Sequence, residues 1–202
     1  MGRELPCTIR FDGKAAKGKA LLETNEIVFR GDLRLKVPLA SLQSVSARAG
    51  ELHLRWPEGS AVFELGEHAE KWAQKILHPK TTDERLGIRP GLSISVIGEF
   101  EPSFIASLQR SAKAFSGSKP VNNSDLIFFA ANRAADLSRT AKPTASLSPA
   151  GALWIVYPKG RQEITERQVL NAGRSAGFVD VKVVSFSPTH TALKFVRPKT
   201  KR

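Results

Sequence analysis

The sequence has one cysteine, Cys7, among 202 residues. It cannot form an internal disulfide, which excludes a secreted scaffold stapled by bridges. One thiol and four scattered histidines (His53, His68, His78 and His190) offer no zinc-ligand spacing, so no metal is expected. Long apolar runs are also missing. The longest, 126–131 and 152–157, fall far short of the ~20 residues a membrane-crossing helix needs. Residues 1–7 carry no apolar core of a signal peptide. Pro6 stands where a myristoylation signal needs Ser or Thr. A soluble, cytoplasmic protein is expected. There is no internal repeat, phosphate loop or serine nucleophile elbow. Helix-turn-helix, RNA-recognition and zinc-finger signatures are absent too.

What is present is a globular composition, 41% hydrophobic and 25% charged, with a formal net charge of +12. The excess suggests an anionic partner. It is unevenly spread. Residues 1–80 hold 13 Lys+Arg against 10 Asp+Glu, and residues 81–202 hold 18 against 9. Four of the latter cations, Arg197, Lys199, Lys201 and Arg202, read as a solvated basic tail over 198–202 and its approach.

Residues 8–65 read as short strands separated by turns. They are 8–11, 18–23, 26–30, 33–37 (strictly alternating), 42–47, 51–56 and 61–65. Such spacing predicts a small antiparallel sandwich or barrel. Ala69, Trp72, Ala73, Ile76 and Leu77 then follow helical spacing on one face, and Pro79 stops that helix. Seven strands closed by one amphipathic helix resemble the pleckstrin-homology-like or GRAM-like fold, with 20–38 similar to its bacterial members. Lys14, Lys17 and Lys19 lie in or beside the first hairpin loop, where some pleckstrin-homology domains bind phosphoinositides. No arginine fork accompanies them, so they read as solvated lysines.

The polar stretch 78–84 predicts a boundary between domains at 1–80 and 84–197. Beyond it, strands alternate with helices. Strands are expected at 92–98, 126–131 and 152–157, the last two continuously apolar as in parallel strands buried on both faces. Helices are expected over 102–112, 132–139 and from Thr165, whose capping partner is Gln168. A hairpin of 179–186 and 192–196 closes the chain. The fold is expected to be α+β overall: the sandwich or barrel with its helix, then a three-layer, mostly parallel α/β domain.

Several stretches of this second part resemble the class I methyltransferase (Rossmann-like) fold. They are Leu86-Gly87-Ile88-Arg89-Pro90-Gly91 with the strand to Gly98, Ser124-Asp125-Leu126-Ile127-Phe128-Phe129, 147–153, and Ala176-Gly177-Phe178-Val179-Asp180-Val181 with the final hairpin. They are similar to that fold's first, fourth and fifth strands and its end. A shortened, degenerate version, as in an uncharacterised bacterial domain family, is the nearer resemblance. Such enzymes bind S-adenosylmethionine over a glycine-rich loop, because bare backbone permits close approach. Here Gly98 fits the first glycine, but Phe100 and Pro102 replace the next two, so a phenyl ring and a pyrrolidine are expected to fill the cofactor's space. Glu99 and Glu101 add acidity. Between Gly98 and Asp125 the chain has room for one helix and a loop, with no evident carboxylate to hold a ribose.

Ligands of open α/β sheets sit at the carboxyl ends of strands. The candidate binding residues are Gly98, Glu99, Asn132, Arg133, Lys159 and Arg161, the last three converging with Asn132 on an anion. No catalytic residue is expected. The broken glycine loop predicts a non-catalytic binding or adaptor protein without cofactor, with a protein or anionic partner. The alternatives are an S-adenosylmethionine-dependent methyltransferase with an atypical loop and a nucleic-acid-associated protein.

Overall fold

The computed structural model describes residues 4–198. The chain divides into two compact units at Lys80/Thr81. The first is one antiparallel, curled sheet of seven strands. These are β1 (Leu5–Phe11), β2 (Lys14–Leu22), β3 (Glu26–Gly31), β4 (Arg34–Pro38), β5 (Ser44–Arg48), β6 (Glu51–Trp56) and β7 (Gly59–Glu64), in the order β4-β3-β2-β1-β7-β6-β5. A small antiparallel sandwich or barrel was expected. Instead β4 and β5 are the free edges of a single sheet. Alternation puts Ile9, Ala20, Ile27, Phe29, Leu52, Leu54 and Phe63 on the concave face. The helix α1 (His68–Leu77) adds Ala69, Trp72 and Ala73 to that core. Leu77, expected on the inner face, is half exposed at the helix end. Lys14, Lys17 and Lys19 all stand on β2, beside the Asp12-Gly13 turn.

Cys7 points to the same core and is half buried. Burial pushes its thiol up to about 11, outweighing a hydrogen bond with Ala20. At pH 8 its thiolate fraction is therefore expected to be ~100-fold below that of an unfolded chain. Ellman's reagent should label the folded protein correspondingly slowly and the guanidinium-unfolded protein at once; equal rates would place Cys7 outside the core. The raised thiol also stabilises the fold below pH 9, a contribution lost as pH rises towards 11.

The second unit begins at Thr81, inside the polar stretch 78–84. Thr81 and Glu84 cap each other at the start of α2 (Thr82–Leu86), so the polar stretch that reads as linker opens a helix. There follow β8 (Ser93–Ile97), α3 (Pro102–Ser111), β9 (Ala114–Ser116), β10 (Ser124–Ala130), a 3-10 turn (Ala134–Arg139), α4 (Ala141–Thr144), β11 (Leu147–Pro158), α5 (Glu166–Ser175), β12 (Val179–Ser185) and β13 (His190–Val196). The sheet order is β12-β13-β11-β10-β8-β9. β9, β8, β10 and β11 are parallel; β13 runs antiparallel to β11 and β12. The architecture is thus α+β, with an antiparallel sheet and a second, mixed one.

Along β10 and β11 successive residues enter opposite apolar clusters: Ile127, Phe129, Leu153 and Ile155 on one side, Leu126, Phe128, Ala152 and Trp154 on the other. Both faces being buried explains the continuous apolar runs. The capping box of Thr165 and Gln168 opens α5, as expected. A buried hydroxyl pair, Ser95 Oγ and Ser124 Oγ at 2.8 Å, holds Val121 in the loop before β10: Ser95 Oγ accepts from its N–H and Ser124 Oγ donates to its carbonyl. Arg197 is not a free tail residue. Its guanidinium bonds the carbonyls of Thr144 and Leu147 and lies 5.7 Å over the Phe178 ring. Lys199, Lys201 and Arg202 fall outside the described residues. Among these, no helix is long and apolar enough to cross a membrane.

Candidate functional site

Parallel strands β8, β10 and β11 end side by side, and a cleft of about 660 Å³ opens there. Its floor is Ala130 and Val156. One wall is the loop Glu99–Phe100–Glu101 leading to Pro102, the first residue of α3. The other is the β12–β13 turn, from Phe186 to His190. Gly98 turns the chain from β8 into the loop at φ +92°, and a Cβ there would stand 2.9 Å from that of Ala130. Its bare backbone thus serves the close approach of two strand ends as well as the turn.

Phe100 was expected to plug this space. Its ring instead folds down onto Phe104 (5.6 Å between centroids) and Phe186 (6.0 Å), and Phe104 rests edge-on against Phe128. Aromatic contact with the core side of the sheet outweighs exposure of the ring to water, and the cleft stays open above it. A second strand was also not expected between Gly98 and Asp125, yet β9 pairs in parallel with β8. The residues that follow it, Gly117, Ser118 and Lys119, include no carboxylate.

The six predicted residues do not all meet. Glu99 and Asn132 line the cleft, and Gly98 shapes it. Asn132 is fixed by its backbone. Asp136 Oδ2 accepts from the N–H groups of Asn132 and Arg133, both at 3.0 Å, while Arg139 holds Oδ1. The Arg133 amide, then that of Asn132, hold this carboxyl below the usual range. Lys159 is spent on structure. Its ammonium donates to Ser185 Oγ (2.8 Å) and to the carbonyls of Ser187 and Pro188 (2.7 and 3.4 Å), pinning the wall turn. Arg133 and Arg161 are exposed and are not among the lining residues. The cleft is therefore not a basic, anion-binding one. The acidic side chains that line it are Glu99 and Glu101.

The closing hairpin's turn, Ser187–His190, was expected, but its place as a wall of the cleft was not. Ser187 Oγ accepts from the amides of Thr189 and His190, and Thr189 Oγ1 lies 2.9 Å from His190 Nδ1. The signal was topological: a hairpin whose returning strand pairs antiparallel with β11 must put its turn beside the carboxyl end of β11.

No protein-family model and no curated protein matches the sequence. Solved structures do. A SAM-dependent methyltransferase from Aquifex aeolicus is 13% identical, over 55% of this chain and 85% of its own, with a TM-score of 0.39. Magnesium protoporphyrin IX methyltransferase from Synechocystis, with bound S-adenosylmethionine, is 12% identical over 63% of this chain and 83% of its own (TM-score 0.41). A SAM-dependent O-methyltransferase from Thermotoga maritima is 10% identical over 98% and 94% (TM-score 0.45). These likenesses concern the fold. The expectations of a non-catalytic adaptor and of no cofactor are not upheld: the similar structures are of methyltransferases, one with bound S-adenosylmethionine.

Proposed function

We propose that the second unit is an S-adenosylmethionine-dependent methyltransferase of shortened, three-layer Rossmann-like form, with its cofactor in the cleft above Ala130 and Val156. For the first unit we infer the pleckstrin-homology-like or GRAM-like fold, which its seven antiparallel strands and closing helix support. The observation carrying the main reading is the open cleft at the carboxyl ends of β8 and β10, with two carboxylates and two phenyl rings on its walls. Its volume lies within the ~300–1,000 Å³ range of small-molecule sites. S-adenosylmethionine supplies a methyl group on a sulfonium cation. Aromatic faces and carboxylates both attract such a cation, so the acidity of this cleft suits the group. Asn132, its backbone clamped by Asp136, offers an amide at the floor's edge. His190, its Nδ1 engaged by Thr189, has Nε2 available to take a proton from an acceptor hydroxyl or amine.

Calorimetry on the full chain tests this. S-adenosylmethionine is expected to bind with a Kd of about 1–100 µM. Asn132→Trp should fill the cleft and weaken binding at least ~10-fold, a loss of about 1.4 kcal/mol. Glu99→Gln with Glu101→Gln should weaken S-adenosylmethionine more than S-adenosylhomocysteine, which lacks the sulfonium charge. Absence of heat with either compound at millimolar concentration sinks the proposal.

A further inference from the structure

The convex face of the first unit carries a row of like charges that the sequence does not reveal. In the β2–β3 register Lys19 faces Arg30, and in the β3–β4 register Arg30 faces Arg34. All three are exposed and stand on the side opposite Ile27 and Phe29. Three cations therefore lie abreast on adjacent strands. Lys17 precedes the row on β2, and Lys36 adjoins it on β4. Like charges directly opposite one another destabilise a sheet, and little offsets these. Arg30 reaches Glu4 at 3.8 Å. Among the described residues, Lys19 and Arg34 have no ion-pair partner within 4.0 Å.

Two neighbouring guanidiniums supply the bidentate phosphate geometry that the lysines alone lack. Two interstrand spacings make the row about 10 Å long. That is close to the rise of three nucleotide steps in a stacked strand, at ~3.4 Å each. A membrane surface fits less well. Membrane docking combines cations with inserted apolar side chains. The exposed large apolar residues, Leu77, Val179, Val181 and Val183, are not on these strands.

We propose that Lys19, Arg30 and Arg34 form a docking surface for the phosphodiester backbone of a single-stranded nucleic acid. The contact is independent of base sequence. It does not depend on the methyltransferase reading, because no residue of the cleft takes part.

The test uses the full chain and a fluorescein-labelled 20-mer of oligodeoxythymidine, followed by anisotropy. Three phosphate contacts predict a log–log salt slope of about −2, so affinity should fall ~20-fold between 50 and 200 mM salt. The double variant Lys19→Glu/Arg34→Glu should bind at least tenfold more weakly at 50 mM. Its slope should be shallower by ~1.4, at ~0.7 per lost contact. Its thermal midpoint should not drop, because each glutamate faces Arg30 and relieves repulsion. Should that pair fail to fold, Lys19→Ala/Arg34→Ala gives the same reading. Arg161→Glu/Arg167→Glu, in the second unit, should leave affinity unchanged. The proposal is overturned if the first-unit variants keep wild-type affinity or the second-unit variant loses as much. It is also overturned if the wild type binds phosphatidylserine vesicles but not the oligonucleotide.

Discussion

Gly173→Ala is expected to destabilise the second unit by about 2–3 kcal/mol, opposite in sign to the usual effect of that change in a helix. Glycine in a helix interior ordinarily costs ~0.5–1 kcal/mol relative to alanine, so propensity alone predicts a gain. At this site α5 passes directly over Phe195. A Cβ on Gly173 would stand 2.1, 2.4 and 2.6 Å from three atoms of that ring. The ring is fully buried, on a strand paired with β11 on one side and β12 on the other, and has nowhere to turn. Overpacking typically costs ~1–3 kcal/mol, occasionally more, and three sub-contact distances put this case at the upper end. Chemical denaturation should show a midpoint shift with unchanged slope, and the melting temperature should drop by roughly 10 °C. In a Phe195→Leu background the same alanine should be neutral or stabilising, a coupling of opposite sign. A single variant as stable as its parent would mean that α5 can lift off the sheet without cost.

A helix with a glycine and two basic residues was still legible. Its start is written in the Thr165/Gln168 pair and its inner face in Val169 and Ala172, signals that act within one turn. The strands of the first unit were legible for the same reason, since alternation is a property of neighbours. What failed was less local. Whether β4 meets β5 to close a barrel depends on the curl of seven strands, and no residue pair encodes it. β9 is three residues long, too short to show a period. The helix that Thr81 and Glu84 cap has only five residues, and so short a polar stretch looks like linker.

The candidate site divides along the same line. Gly98, Glu99 and Asn132 follow the ends of apolar runs, and those ends could be read directly. Lys159 also follows one, yet its ammonium is satisfied by a turn about 28 residues further along the chain. Only the placement of β13 between β11 and β12 creates that turn's position. Phe100 shows the converse: bulk at a cofactor loop reads as a plug, until Phe104 and Phe186 give its ring another place to go. The basic row was invisible because Lys19, Arg30 and Arg34 are neighbours only in the register of three strands.

Trp154→Ala is expected to cost about 4 kcal/mol, within the ~3–5 kcal/mol of large aromatic truncations. Trp154→Phe is the more informative change. Trp154 is fully buried in the middle of β11, between Phe128 and Lys194 of the flanking strands, and the Lys194 ammonium lies 5.8 Å from its ring. The indole N–H donates at 3.0 Å to the carbonyl of Leu86, the last residue of α2. Carbonyls at a helix end have no partner within the helix. Removing this donor leaves that of Leu86 unsatisfied in an apolar cluster, at about 1–3 kcal/mol, with a further loss for the smaller ring. Trp154→Phe should therefore lower stability by roughly 2 kcal/mol. Hydrogen exchange should quicken first at Gly87 and Ile88, whose amides bond back to Glu84 and Asp83. Cofactor binding should change little, because none of these groups lines the cleft at the opposite ends of the strands. Exchange that quickens evenly across the sheet would assign the tryptophan's contribution to packing alone, and the indole hydrogen bond would then have no distinct part in holding α2.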